Sequence, residues 1–286
     1  MTEKKTENPI LITKVSGDKV PFSVEKLKHS LRRSGANEAV IEKIEASIIQ
    51  RLYPGISTKE IYRKAFSLLK KTSAHTAAKY KLKKAIMELG PSGFPFEKYM
   101  SEILKQEGYG VQVGQTVQGH CVKHEVDIIA HKDEKYFMIE CKFHSDQERK
   151  CDVKISLYIH SRFRDLERGG QQEMEHAVKF HQGWVVTNTR FTEDAIRYGN
   201  CAGLNLISWN YPNKGSLKER IDRAGLHPLT SLTTLTKKEK QLLLDRGIVL
   251  CKDINQKKQW LEEIGILNPR AQKVLAEAAL LSKTKN

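Results

Sequence analysis

The sequence predicts a multidomain chain of α+β and α/β character. An N-terminal hairpin with a helical bundle comes first, then a central mixed sheet flanked by helices, then a small C-terminal helical module. Three observations predict this. Two short apolar runs around a turn precede long stretches of helical spacing. Strand-like and helix-like segments then alternate from Phe96 to Ile207, and beyond that point only helical spacing broken by glycine follows. At 286 residues the chain can bury two or three cores. The reading divides it into a solvated tail (1–8), a first domain (9–90), a second (91–222) and a third (223–286).

In the first domain, Ile10-Leu11-Ile12-Thr13-Lys14 and Lys19-Val20-Pro21-Phe22 flank Ser16-Gly17-Asp18, which reads as a β-hairpin. Ser23 is a helix N-cap, and Val24, Leu27 and Leu31 share one helical face. A second helix is expected over about 37–53, with Val40, Ile41, Ile44, Ile48 and Leu52 in register. Pro54-Gly55 breaks it, and Ser57 or Thr58 caps a third helix over 57–84. This region is strongly basic. The first 90 residues hold 19 Lys and Arg against 9 Asp and Glu, which is +10 of the net +15. Such an excess favours polyanionic partners, although lysine-rich helices are also simply solvated.

The string Thr13-Lys14-x-x-Gly17, Pro21-Phe22, Glu25-Lys26-Leu27, Ile56-Ser57-Thr58-x-x-Ile61 and Ala74-His75-x-Ala77-x-x-Tyr80 resembles an ATP-cone. This is the nucleotide-binding regulatory domain of ribonucleotide reductases and a related transcriptional repressor. The resemblance spans residues 9–90 in order. It implies that Lys14 and Lys26 contact a triphosphate of ATP or dATP, and that Thr58 and Tyr62 line the nucleotide pocket. It also implies homo-oligomers, because cones act through subunit association. One departure is Val15, where the family often has a second basic residue. Lys19, or Lys81 and Lys84, would then supply that contact.

In the second domain, Gly90-Pro91-Ser92-Gly93 is a turn, and Phe96-Glu97-x-x-Met100-x-x-Ile103-Leu104 is a helix ending at Gly108-Tyr109-Gly110. Val111-Gln112-Val113 reads as a strand, followed by a turn at Gly119. Val126-Asp127-Ile128-Ile129-Ala130 and Glu140-Cys141-Lys142 read as two paired strands, with the polar stretch His131–Lys135 as their turn. Alternation places Glu140 and Lys142 on one strand face and Cys141 on the other. Pairing then brings Asp127 to Glu140 in a small acidic pocket with an ammonium beside it. Such a pocket suits Mg²⁺ or Mn²⁺, hard cations that take oxygen ligands and keep waters. Downstream, Trp184–Asn188 reads as a buried strand, Phe191-Thr192 as a helix start and Leu204–Ile207 as the last strand. In this order the elements resemble the Mrr-type branch of the PD-(D/E)xK nucleases. The resemblance implies that Asp127 and Glu140 bind metal, that Lys142 positions or activates water, and that Glu97 is an auxiliary acid. Arg162, Arg164, Arg168 and Lys179 are candidates to face phosphates, and Gln171 or Gln172 to point into the cleft. His120, Cys121, His124, Cys141, His144 and Cys151 form a rival, zinc-type set, but they lack the paired and repeated spacing of structural zinc sites.

The third domain carries two successive helix–Gly–apolar turns, at Gly247-Ile248 and Gly265-Ile266, which hint at a helix-hairpin-helix-like fold; a helical cap or an oligomer interface is the alternative. No run of eighteen apolar residues occurs, and the first residues lack the apolar centre of a secretion signal. Five cysteines without a CxxC pair fit a reducing cytoplasm. No G-x-x-x-x-G-K-[ST] loop is present, so a nucleotide would act as an effector and not as fuel. The expected function is a metal-dependent endonuclease, most readily of DNA, regulated by ATP or dATP. The alternatives are a nucleotide-responsive, nucleic-acid-binding switch without catalysis, and an RNA nuclease.

Overall fold

The structure, a computed structural model, describes residues 9–14, 16–169, 179–256 and 258–282. The expectations for the tail 1–8, for Val15, and for Gln171 and Gln172 fall outside these residues. The described chain forms two compact units, divided between Leu82 and Lys83.

In the first unit, β1 (Leu11–Thr13) and β2 (Lys19–Pro21) form the antiparallel hairpin. The chain beyond them folds into α1 (Val24–Arg33), α2 (Glu38–Ile49), α3 (Thr58–Thr72) and α4 (Ala74–Tyr80). The side chains of Ser23, Asn37 and Ser57 accept hydrogen bonds from the third backbone amide downstream; Ser23 and Ser57 are the expected caps, and Asn37 adds one at the expected start of the second helix. Two expectations are corrected. The second helix stops at Ile49, and single-turn hydrogen bonds from the amides of Arg51 and Leu52 carry the chain on to Leu52. Pro54 disfavours helical backbone in the residue before it. The long third helix breaks at Ser73, which is extended (φ −157°, ψ 114°) and uses its hydroxyl to cap α4 at Thr76. A serine hydroxyl that can satisfy a backbone amide competes with helix continuation. The core gathers Ile12, Leu27, Leu31, Ile41, Ile44, Ile48, Ile61 and Leu69, the apolar helical faces together with one side of the hairpin.

From α5 (Leu82–Met87), which runs across the division, the chain enters α6 (Phe94–Gln106) and then β3 (Gly110–Gln118), β4 (Lys123–Lys132) and β5 (Lys135–Lys142). Next come β6 (Lys150–Cys151), α7 (Val153–Gly169), β7 (Phe180–Thr187), β8 (Arg190–Phe191), α8 (Glu193–Cys201) and β9 (Asn205–Ile207). The five-stranded sheet has the order β3-β4-β5-β7-β9; β3, β4 and β5 are antiparallel, and β5, β7 and β9 parallel. The parallel steps need crossovers, supplied by α7 and α8. Met138 and Glu140 of β5 share a parity, and Met138 packs with Ile159, Phe163 and Leu166 of α7. The intervening Ile139 and Cys141 are buried as well, so this strand is covered on both faces. The expected five-residue turn shrinks to Asp133 and Glu134, both at positive φ (50° and 60°), with Lys132 paired to Lys135. Two left-handed residues suit a two-residue hairpin turn, whose twist matches that of the strands.

The helices α9 (Leu217–Ala224), α10 (Lys237–Asp245), α11 (Cys251–Gln256), α12 (Gln259–Glu263) and α13 (Arg270–Ser282) complete the second unit. The two helix–Gly–apolar turns are C-terminal caps: the amides of Ile248 and Ile266 reach back to the carbonyls of Leu243 and Leu261. Gly247 and Gly265 take the left-handed conformation that this cap requires, at φ 74° and 80°. Buried Glu277 of α13 ties the segment down by accepting from the amides and hydroxyls of both Thr233 and Thr234. No helix among the described residues is long and apolar enough to cross a membrane.

Candidate active site

The site is built where β4 parts from its neighbours. Its ladder with β5 ends at Ile128–Ile139, and its ladder with β3 skips the pair Gly114–Asp127. Gly114 is left-handed there, at φ 62°. Asp127 is thus released from both ladders, and its Oδ2 accepts the amide of Cys141 at 2.7 Å in place of a backbone carbonyl. That bond holds the Asp127 carboxylate against the Glu140-Cys141-Lys142 segment. The Thr187 hydroxyl donates to the carbonyl of Lys142, fixing the end of β5 from the parallel side.

Glu140 is 4% exposed and fully engaged. Lys142 Nζ lies 2.7 Å from its Oε1, and Arg162 Nη1 lies 2.6 Å from its Oε2. Arg162 reaches it from the middle of α7, donates its other amino group to the carbonyl of Glu125 and lies over the ring of Tyr158. The sequence placed Arg162 with Arg164 and Arg168 as a phosphate-facing group. The structure separates them: Arg164, two residues on and so on another helical face, pairs with Glu167.

Glu97, in the first turn of α6, lies close enough to sense this cluster. Burial first, and then the charges of Asp127, Glu140 and Glu125, push its carboxyl up to about 7. Burial and the charge of Glu140 likewise push Asp127 up to about 6, against the opposing pull of the Cys141 amide, Lys142 and Arg162. The four residues singled out in this region therefore share one electrostatic environment. Its carboxylates hold more negative charge than Lys142 and Arg162 relieve. Among the described residues no three or more His, Cys, Asp and Glu side chains gather as an all-protein metal cage. The zinc-type set is dispersed into other roles. His124 pairs with Asp165 at 2.8 Å, the ring of His144 meets Cys151 Sγ at 3.3 Å, and Cys141 is buried. What does fit is a hard cation that needs only one or two carboxylates and keeps its waters, with Asp127 and Glu140 as donors. The excess negative charge at the site is the observation in favour of that fit.

Asp165, absent from the sequence reading, organises the rim. It accepts the amides of Cys121 and Val122, and with His124 it pins the β3–β4 turn to α7. These bonds hold its carboxyl well below the ordinary range despite the opposing effect of burial. In the first unit, the parallel bridge Thr13–Ser57 sets β1 beside the segment that leads into α3. Lys14 and Thr58, each one residue past that bridge, therefore leave side by side. Tyr62 lies one turn along α3 and stacks on Tyr80 at 5.0 Å. Lys26 is in the first turn of α1, which starts at the opposite end of the hairpin, where the Phe22 amide bonds Ile10.

The raised carboxyls make stability depend on pH. For Asp127 and Glu97 the folded-state pKa lies above the unfolded value, so the folded unit holds protons that the unfolded chain has lost between about pH 4 and 7. The contribution of these two carboxyls to the stability of the metal-free unit then rises as pH falls through that window. Asp127→Asn is expected to raise the melting temperature at pH 8 by on the order of 5 °C, with the gain shrinking toward zero near pH 4.5. All three tryptophans lie beyond Leu82, so tryptophan fluorescence follows the second unit alone. Equal melting temperatures of the variant and the parent at pH 8 would show that the carboxylates do not strain the fold.

Three family models match successive segments of the chain. Residues 10–86 match the family model of the ATP cone domain, and residues 90–157 match that of the Mrr-type restriction endonuclease catalytic domain. Residues 227–282 match the model described as AF1548-like, C-terminal. A relative described as an uncharacterized protein of Archaeoglobus fulgidus is 35% identical over 180 residues, which is 63% of this chain and 97% of the relative. The crystal structure of AF1548, a protein of unknown function, superposes with a TM-score of 0.55 at 33% identity, over 66% of this chain and 97% of that one. The chain therefore belongs to the AF1548-like family, with an ATP cone and an Mrr-type restriction endonuclease domain in one polypeptide.

Proposed function

We propose that this protein is a metal-dependent endonuclease that hydrolyses DNA phosphodiester bonds under the control of ATP or dATP bound at its cone. The observation that carries the reading is the release of Asp127 from both ladders onto the Glu140-Cys141-Lys142 segment, beside Glu97. Asp127 and Glu140 would hold Mg²⁺ or Mn²⁺, which when bound supplies Lewis-acid polarisation of the phosphoryl group and a more acidic water. Lys142, already 2.7 Å from Glu140, would orient the attacking water and offset charge on the phosphorane oxygens. Glu97 titrates near neutrality and would give a proton to the leaving oxygen as its bond to phosphorus breaks. The burial of Glu140 and the partial burial of Asp127 strengthen each of these charge interactions relative to water.

On this reading the cone is a sensor. Lys14 and Lys26 bind the triphosphate, Thr58 and Tyr62 line the pocket, and control passes through association of copies of the chain. Its strength is bounded by the effector's differential affinity, about 1.4 kcal/mol for each tenfold change.

Two experiments test the two halves. Purified protein is incubated with duplex DNA, single-stranded DNA and RNA, with Mg²⁺ or Mn²⁺, and with or without ATP or dATP. DNA cutting that requires metal and falls by about a thousandfold in Lys142→Ala is expected. Tight binding without cutting under every condition would support a non-catalytic switch, and preferential cutting of RNA the other alternative. For the cone, Lys14→Ala with Lys26→Ala is expected to weaken ATP binding in calorimetry at least tenfold, corresponding to about 1.4 kcal/mol. Full binding by the double variant would refute the assigned pocket.

A further inference from the structure

We infer that Arg162 is a built-in stand-in for the divalent cation: it closes Glu140 in the metal-free protein and is released toward a substrate phosphate when metal binds. The inference rests on the proposed metal site at Asp127 and Glu140. Three of the four carboxylate oxygens of that pair are already engaged. Asp127 Oδ2 takes the Cys141 amide, Glu140 Oε1 takes Lys142, and Glu140 Oε2 takes Arg162. A cation shared by the two carboxylates meets a positive side chain already seated on either Glu140 oxygen, and like charge sets it against one of them.

Geometry favours Arg162 as the group that yields. Its two amino groups have separate duties. Nη2 holds the Glu125 carbonyl on β4, while Nη1 alone holds Glu140. The guanidinium also rests on the Tyr158 ring, which is itself 58% exposed, so it keeps two anchors when Nη1 lets go. Glu125 lies two residues before Asp127, so the anchored group stays beside the acidic pocket. A freed guanidinium edge next to a bound cation is a ready partner for a phosphate oxygen, because its planar fork matches phosphate geometry. Metal and phosphate then each favour the state that the other binds, and by linkage each tightens the other by the same factor. The exchange costs little charge, because one counter-cation of buried Glu140 replaces another.

The test is calorimetric and needs no turnover. Mn²⁺ is titrated into the full chain with and without thymidine 3′,5′-bisphosphate, which carries DNA phosphates but no internal phosphodiester. The proteins are wild type, Arg162→Gln, Arg162→Lys and Asp127→Asn. In wild type the bisphosphate should tighten Mn²⁺ binding about fivefold or more, within the usual range of coupling between sites. Arg162→Gln should bind Mn²⁺ more tightly than wild type when alone and lose that enhancement. Arg162→Lys keeps a charge but lacks the fork, so it should shift both quantities in the same direction by less, and it serves if the glutamine variant does not fold. Unchanged Mn²⁺ affinity, or an undiminished enhancement in the Arg162 variants, overturns the inference and leaves the metal site standing. Wild type that binds no Mn²⁺, or Asp127→Asn that binds it equally well, overturns the metal site itself and this inference with it.

Discussion

The structure turns on charge confined at a break in a sheet. Where β4 lets go of β3 and β5 at Asp127, a carboxylate replaces backbone in the hydrogen-bond pattern and is held against buried Glu140. Carboxyls brought together out of water repel and lose solvation, which is why Asp127 and Glu97 hold their protons to unusually high pH. Lys142 and Arg162 answer part of that charge. A single substitution on the negative side therefore relieves the fold, whereas one on the positive side leaves a buried carboxylate with less support.

Much of this was legible because the decisive contacts are local. A two-residue turn at Asp133 and Glu134 is centred midway between Asp127 and Glu140, so thirteen residues of separation in a hairpin place them across from each other. The helix starts were legible for a similar reason. A cap is settled by one hydroxyl or amide and a backbone group three residues away, as at Ser23, Asn37, Ser57 and Thr192. Ser73 carries the same signal inside a long apolar periodicity. There the periodic pattern continues on both sides of the break, so the helix read as unbroken.

The partners supplied by α7 were not legible. Arg162 meets Glu140 across 22 residues of chain, and Asp165 meets Cys121 across 44. Nothing in local spacing says which face of a crossover helix lies toward the sheet edge. Arg162 and Asp165 are three positions apart and hence neighbours on one face, whereas Arg164 turns elsewhere. The signal available was the placement of Ile159, Phe163 and Leu166, which fixes the buried stripe of α7 and thereby its flanks. The nucleotide-binding part has the opposite character. Its proposed ligand groups, Lys14 and Thr58, are brought together by the bridge Thr13–Ser57, and the motif spacing already contained both segments.

The most direct measurement is anomalous diffraction from crystals of the full chain grown with Mn²⁺. One strong peak is expected within coordinating distance of Asp127 and Glu140, with Arg162 Nη1 drawn off Glu140 and its other amino group still on the Glu125 carbonyl. A map with no peak there, and with Glu140 still closed by both Lys142 and Arg162 at saturating Mn²⁺, would contradict it.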